Sequence, residues 1–206
     1  MTHAVPVQVQ VQVFFNFRSP YCYLASKTLF DVLGRFDCEV LWRPLGGWDG
    51  RSSPERARGK LPIARQDVRR WCRRMGIPFS PPPVTTDPTR ASAGSLLAEQ
   101  HGRLREYVLE VMHAEWGEGR DIGDLDVLRD AGRRAGLEPD ALAQAADDPA
   151  RLARLAEHWQ QAQAVGVFGV PSFAVGEEVF WGNDRLDFLA EHLTELGAAR
   201  APNGAL

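Results

Sequence analysis

The stretch FFNFRSPYCYLA, Phe14 to Ala25, is where one periodicity gives way to another. Upstream, every odd position from Val5 to Phe17 is apolar: Val5, Val7, Val9, Val11, Val13, Phe15 and Phe17. That is a period of two, and it predicts a long β-strand. Phe14 interrupts the polar side of the alternation, so the end of the strand is expected to be buried on both faces. Downstream, Ser19-Pro20 reads as an N-cap followed by proline at the first helical position. Leu24, Leu29, Phe30 and Leu33 then predict a helix that stops near Gly34. Ser19 and Cys22 have the spacing of a two-thiol redox motif, with serine where the attacking cysteine would stand.

Working outward, Cys38 to Trp42 predicts a second strand, and strand-helix-strand implies a parallel pair. Residues 45–60 are rich in Gly, Ser, Pro and Arg and read as a loop. From about 62 to 165 the pattern is helical, interrupted by Pro78 to Pro88 and by Gly117, Gly119 and Gly136. Leu152, Leu155, Trp159 and Ala162 form a core-facing stripe on the last of these helices. Strands are predicted at Val170–Val175 and Glu178–Trp181, with a turn at Gly176. A final helix is predicted from Asn183 or Asp184 through Leu186, Leu189 and Leu193, with a frayed tail after Ala199. The order is β-α-β, helical insertion, β-β-α. It predicts an α/β, thioredoxin-like fold with a large all-helical insertion: residues 1–60 and 166–206 form the thioredoxin-like domain and 61–165 the insertion.

Bulk composition excludes more than it selects. The 206 residues are 44% hydrophobic and 25% charged, as in ordinary globular proteins. A net charge of -3 exerts no general pull toward nucleic acid or an anionic membrane. No apolar run approaches the roughly 18 residues of a membrane helix. The N-terminal valines alternate with glutamines and no Lys or Arg precedes Arg18, so a secretory signal is not expected. Three cysteines, at 22, 38 and 72, do not form a disulfide framework and suit a reducing cytoplasm. The five histidines are scattered, and no metal site is expected.

Each candidate site residue has a plainer role beside it. Ser19 caps a helix, but a helix start at the end of a buried strand also offers hydrogen bonds to an anion such as a thiolate. Cys22, without a partner at 19, reads as a small buried hydrophobe. Val170-Pro171 opens a strand, and in a thioredoxin-like layout this is where a cis proline faces the first helix. Asn183 and Asp184 form a turn and cap, or recognise an amino-acid head group. Lys60 is a surface lysine by default. Trp116 reads as core, with the wall of an aromatic pocket as the alternative.

FFNFRSPYCYLA, AEWGEGRDI (Ala114 to Ile122), VFGVPSF (Val167 to Phe173) and VFWGNDRL (Val179 to Leu186) resemble the 2-hydroxychromene-2-carboxylate isomerases of bacterial aromatic degradation. They also resemble the related kappa-class glutathione transferases. The resemblance runs from about Val11 to Leu193 and implies a DsbA- or kappa-type fold. It further implies a glutathione cofactor, a small aromatic substrate and a cytoplasmic homodimer. Ser19 falls at the catalytic serine, donating to the glutathione sulfur. The Val170 backbone, before Pro171, falls where the cysteinyl unit pairs. Asn183 and Asp184 fall at the γ-glutamyl end, and Lys60 at the glycine carboxylate. Asn16 stands where an aspartate is frequent, Cys22 where serine or another small residue is common, and the loop before Lys60 carries no asparagine. A kappa-like transferase, a DsbA-like thiol oxidoreductase and a non-catalytic glutathione-binding protein are the alternatives.

Overall fold

β1 (Gln10–Phe15) is the strand on which the rest is assembled. In the computed structural model, which describes residues 8–200, its Val11, Val13, Phe14 and Phe15 are all buried. Side chains buried on both faces require packed layers on both sides of the strand. β2 (Glu39–Pro44) pairs parallel with β1, from Gln10 opposite Glu39 to Phe15 opposite Pro44. β3 (Ser172–Val175) pairs antiparallel on the other side, and β4 (Glu178–Trp181) completes the order β2-β1-β3-β4. Val5 and Val7 of the predicted long strand lie outside the described residues. Phe17 lies beyond the strand's end and is fully buried.

Two helices stand where the sequence predicts one: α1 (Pro20–Ser26) and α2 (Leu29–Leu33). The Ser26 hydroxyl turns back to the Tyr23 carbonyl at 2.7 Å. Lys27 and Thr28 then donate to Leu24 and Ala25, three residues back, at 3.2 and 3.1 Å. Such shortened bonds tighten the last turn and end the α-helical ladder.

The loop predicted over 45–60 ends at Ser53, and residues 54–60 instead open α3 (Pro54–Met75). Ser53 accepts from the Arg56 N–H with Pro54 in the first turn, the same signal as Ser19-Pro20, and the glycine-rich approach obscured it. Lys60 therefore rides on a helix. α4 (Thr89–Gln100), α5 (Leu104–Met112), a π-helical turn (His113–Gly117), α6 (Leu125–Arg134), α7 (Pro139–Ala146) and α8 (Pro149–Ala164) form the rest of the helical part.

Polar side chains of that helical part fasten it to backbone carbonyls at and just beyond the strand ends. Ser92 donates to Leu45 O at 2.8 Å, and the Trp116 indole donates to Phe17 O at 2.9 Å. The buried His158 ring bonds Pro44 O at 3.0 Å. His158 sits on the predicted stripe of α8, between the buried Leu155 and Ala162.

The last helix starts one turn later than expected. A 3-10 turn (Asn183–Arg185) leads into α9 (Leu186–Glu195), which buries Leu186, Leu189 and Leu193. Ala199 bridges Phe36, and Arg200 donates to Arg35 O at 2.9 Å and to Phe36 O at 3.0 Å; the rest of the tail predicted to fray lies outside the described residues. Among the described residues, no helix is long and apolar enough to cross a membrane.

Candidate active site

The end of β1, the start of β3 and the end of β4 share one edge of the sheet, because β3 runs antiparallel to both neighbours. Ser19 enters this edge from the β1 side. Its hydroxyl accepts from the Cys22 N–H at 3.3 Å, capping α1, and donates to the Val170 carbonyl at 3.2 Å. The Val170–Pro171 peptide bond is cis. From the far side, the Gly182 N–H donates to Pro171 O at 2.9 Å, which sets the Asn183 turn beside the proline. Ser19, Val170, Pro171 and Asn183 are thus brought to one sheet edge.

Asn16 organises the floor of this edge, a role that the sequence reading missed. It is fully buried. Its Oδ1 accepts from the Arg18 N–H at 2.8 Å, and its Nδ2 faces the carbonyls of Leu45, Gly47 and Asp49 at 3.1, 3.5 and 3.4 Å. The amide ties the turn before Ser19 to the loop after β2. Gly50 brings that loop against Val170: its φ is +66°, and a Cβ there would lie 2.8 Å from Val170 Cγ1. Only glycine fits such an approach. Two glycines, Trp48 and a further glycine in six residues (Gly46 to Arg51) were the available signal.

Asp184 is paired with Arg185 at 2.8 Å and lies close enough to Tyr21 to disfavour its ionisation. Burial first, then Asp67 and Asp184, push the Tyr21 hydroxyl up to about 12. It stays a donor and bonds Asp67 of α3 at 3.2 Å. A groove of about 580 Å³ opens beside this corner, walled by Asn183, Asp184, Asp187, Asp31 and Trp71 among others. Lys60 lies seven residues before Asp67, on the same face of α3 and about 10 Å further along its axis. It is exposed, and among the described residues no ion pair or hydrogen bond links it to Ser19, Val170 or Asn183.

Behind Ser19, Arg18 reaches into the helical part. Its Nη1 lies 3.2 Å from Oε1 of the fully buried Glu115, its Nη2 donates to Pro83 O at 2.7 Å, and its guanidinium sits 5.3 Å from the Trp116 ring centroid. Burial pushes the Glu115 carboxyl up against the pull of Arg18. Trp116 is a core residue, stacked on Phe79 with its N–H satisfied. Cys22 is buried, and that burial pushes its thiol up to about 12 against the smaller opposing influence of the Asn16 backbone and the Ser19 side chain. It remains a thiol at neutral pH. The edge therefore offers a hydroxyl and an open backbone segment to a ligand, with no reactive sulfur of its own.

This is the architecture of a thioredoxin-fold protein with a helical insertion, and residues 10–194 match the family model of the DsbA-like thioredoxin domain. Within that fold the chain belongs to the 2-hydroxychromene-2-carboxylate isomerase family. It is 31% identical over 193 residues to the 2-hydroxychromene-2-carboxylate isomerase of Sphingobium xenophagum, covering 90% of this chain and 98% of that one. The isomerase of Pseudomonas putida is 28% identical over 196 residues, at 90% and 95% coverage. The solved structure of a 2-hydroxychromene-2-carboxylate isomerase superposes with a TM-score of 0.76 at 27% identity, covering 91% and 96%.

Proposed function

We propose that the protein is a glutathione-dependent isomerase acting on an aromatic-degradation intermediate of the 2-hydroxychromene-2-carboxylate or trans-o-hydroxybenzylidenepyruvate type. The observation that carries this reading is the Ser19 hydroxyl, held at the sheet edge on a backbone carbonyl, where the two-thiol motif would have its first sulfur.

The residues present fit a peptide thiol. Val170 makes no backbone–backbone hydrogen bond among the described residues, and its carbonyl accepts only from Ser19. An extended peptide has an N–H and a carbonyl to offer such a segment. Lys60 takes the glycyl carboxylate in this reading, and Asn183 and Asp184 take the γ-glutamyl end. Glutathione bound there would supply a thiolate for reversible addition and elimination at a conjugated carbon, with rotation about the bond that addition makes single and elimination restores.

The protein's part is to make that thiolate available and to hold the substrate. The Ser19 hydroxyl, which donates to Val170 O, would donate instead to a sulfur anion held at the same turn. A free thiol has a pKa near ~8.5, and each unit of depression is worth about 1.4 kcal/mol. α1 is only seven residues long, so the hydroxyl rather than a long helix dipole is the main donor.

The test is to incubate the pure protein with hydroxychromene carboxylate, with and without glutathione. Isomerisation only with glutathione is expected. A stable thioether adduct would make the protein a transferase. Disulfide turnover alone would make it an oxidoreductase, and binding without reaction a non-catalytic module.

A further inference from the structure

Arg51 is a half-buried cation without a carboxylate partner. Among the described residues no acidic group lies within ion-pairing distance of it, and Glu115 and Asp87 act on it only through space. Its guanidinium lies 3.8 Å from the Trp48 ring centroid, and Nη1 donates to Gly47 O at 3.2 Å. That same carbonyl faces Asn16 Nδ2, whose side chain also holds the Arg18 backbone. Arg51 is therefore fixed beside the turn that presents Ser19. Its neighbour Gly50 packs on Val170, whose carbonyl accepts the Ser19 hydrogen bond.

Two guanidiniums meet here. Arg18 and Arg51 both act on the buried carboxylate Glu115, and Arg18 disfavours the charge on Arg51. Arg18 Nε is buried with no hydrogen-bond partner. Glu115 lies within ion-pairing distance of Arg18, whereas the carboxylates that act on Arg51 do so only through space, so the half-buried Arg51 guanidinium has donors open to an anion.

We propose that Arg51, backed by Arg18, is the carboxylate-binding residue of this site, and that its ligand is an organic carboxylate. The inference rests on the reading of the site as one for a small thiol peptide and an anionic aromatic compound. Stacking on Trp48 fixes the guanidinium plane, and only one of its five N–H donors is used by Gly47. The remaining in-plane donors suit the two oxygens of a carboxylate. Trp48, half exposed, extends as a platform for a ring. The carboxylate has two sources, the aromatic substrate or, with Arg51 taking the place given above to Lys60, the glycyl end of glutathione.

Binding followed by tryptophan fluorescence separates them. In the wild-type chain, salicylate is compared with salicylamide, and glutathione with its glycyl ethyl ester. One pair is expected to show about a tenfold preference for the free acid, the size of a charge-assisted hydrogen bond. Arg51→Gln should abolish that preference, Arg51→Lys should keep part of it, and the pair affected names the source. KM for the same ligand should rise about tenfold in Arg51→Gln, with kcat within about twofold. The proposal is overturned if the wild type shows no preference in either pair, or if a folded Arg51→Gln keeps it undiminished. These binding arms need no turnover. A preference lost on mutation in a protein that fails to isomerise would support Arg51 and sink only the isomerase reading.

Discussion

The Ser19 hydroxyl donates to the Val170 carbonyl at 3.2 Å across a sequence separation of 151 residues, and this bond joins the two halves of the sheet edge. Capping alone needs only the acceptor lone pair that Ser19 gives to Cys22. The donated proton is a second function of the same atom. Removing it by Ser19→Ala should lower glutathione-dependent turnover by about tenfold or more. Loss of the cap should cost about 1 kcal/mol, which a melting curve run alongside will register without loss of the fold.

Cys22→Ser should leave the glutathione-dependent rate largely intact. The thiol is buried and pushed up to about 12, so it holds its proton throughout the neutral range. A thiol reagent added to the native protein near neutral pH should label Cys22 only after unfolding, and mass mapping of the modified peptide reads this directly.

Gly50→Ala places a methyl group 2.8 Å from Val170 Cγ1 and 2.9 Å from Leu45 Cδ1, on a backbone with φ +66°. The loop must withdraw from Val170. About 1–3 kcal/mol of stability should be lost, together with a larger proportional loss of activity. Gly59, within α3 and with nothing near its Cβ position, is the control: Gly59→Ala should leave activity unchanged and raise stability by about 0.5–1 kcal/mol.

His158 sets an acid limit on stability. Burial lowers it from about 6.5 to about 4, so it is neutral when folded and must gain a proton as the chain unfolds in mild acid. Full stability is present above about pH 6.5 and declines as the pH falls toward 4, by on the order of 2 kcal/mol. His158→Gln should flatten that part of the profile of melting temperature against pH. A profile that keeps its slope would move the acid limit to other groups.

Much of the fold was legible in the sequence because its signals are local. The valine alternation marks β1, the Ser-Pro pair marks the start of α1, and the two apolar runs around Gly176 mark β3 and β4. The break between α1 and α2 was not legible, since it depends on Ser26 turning its hydroxyl to its own helix. The start of α3 was legible but masked by the glycine-rich loop before it. Ser19, Val170 and Asn183 could be paired before the structure was known because topology alone brings strand ends together. Arg18 and Glu115 lie 97 residues apart on elements with no sheet register between them, and nothing in either neighbourhood announces the pair. Asn16 was visible only as a departure from a frequent aspartate. Its function comes from the three carbonyls that face it in the folded chain.

The central claim is that Ser19 makes an external thiol reactive. Its most direct measurement is the ionisation of glutathione bound to the protein, followed by the ultraviolet absorbance of the thiolate as pH is raised. In the wild-type protein the bound thiol should titrate at least about one unit below the ~8.5 of a free thiol, and in Ser19→Ala it should return toward that value. Identical titration curves in the two proteins, with glutathione bound to both, would contradict the account.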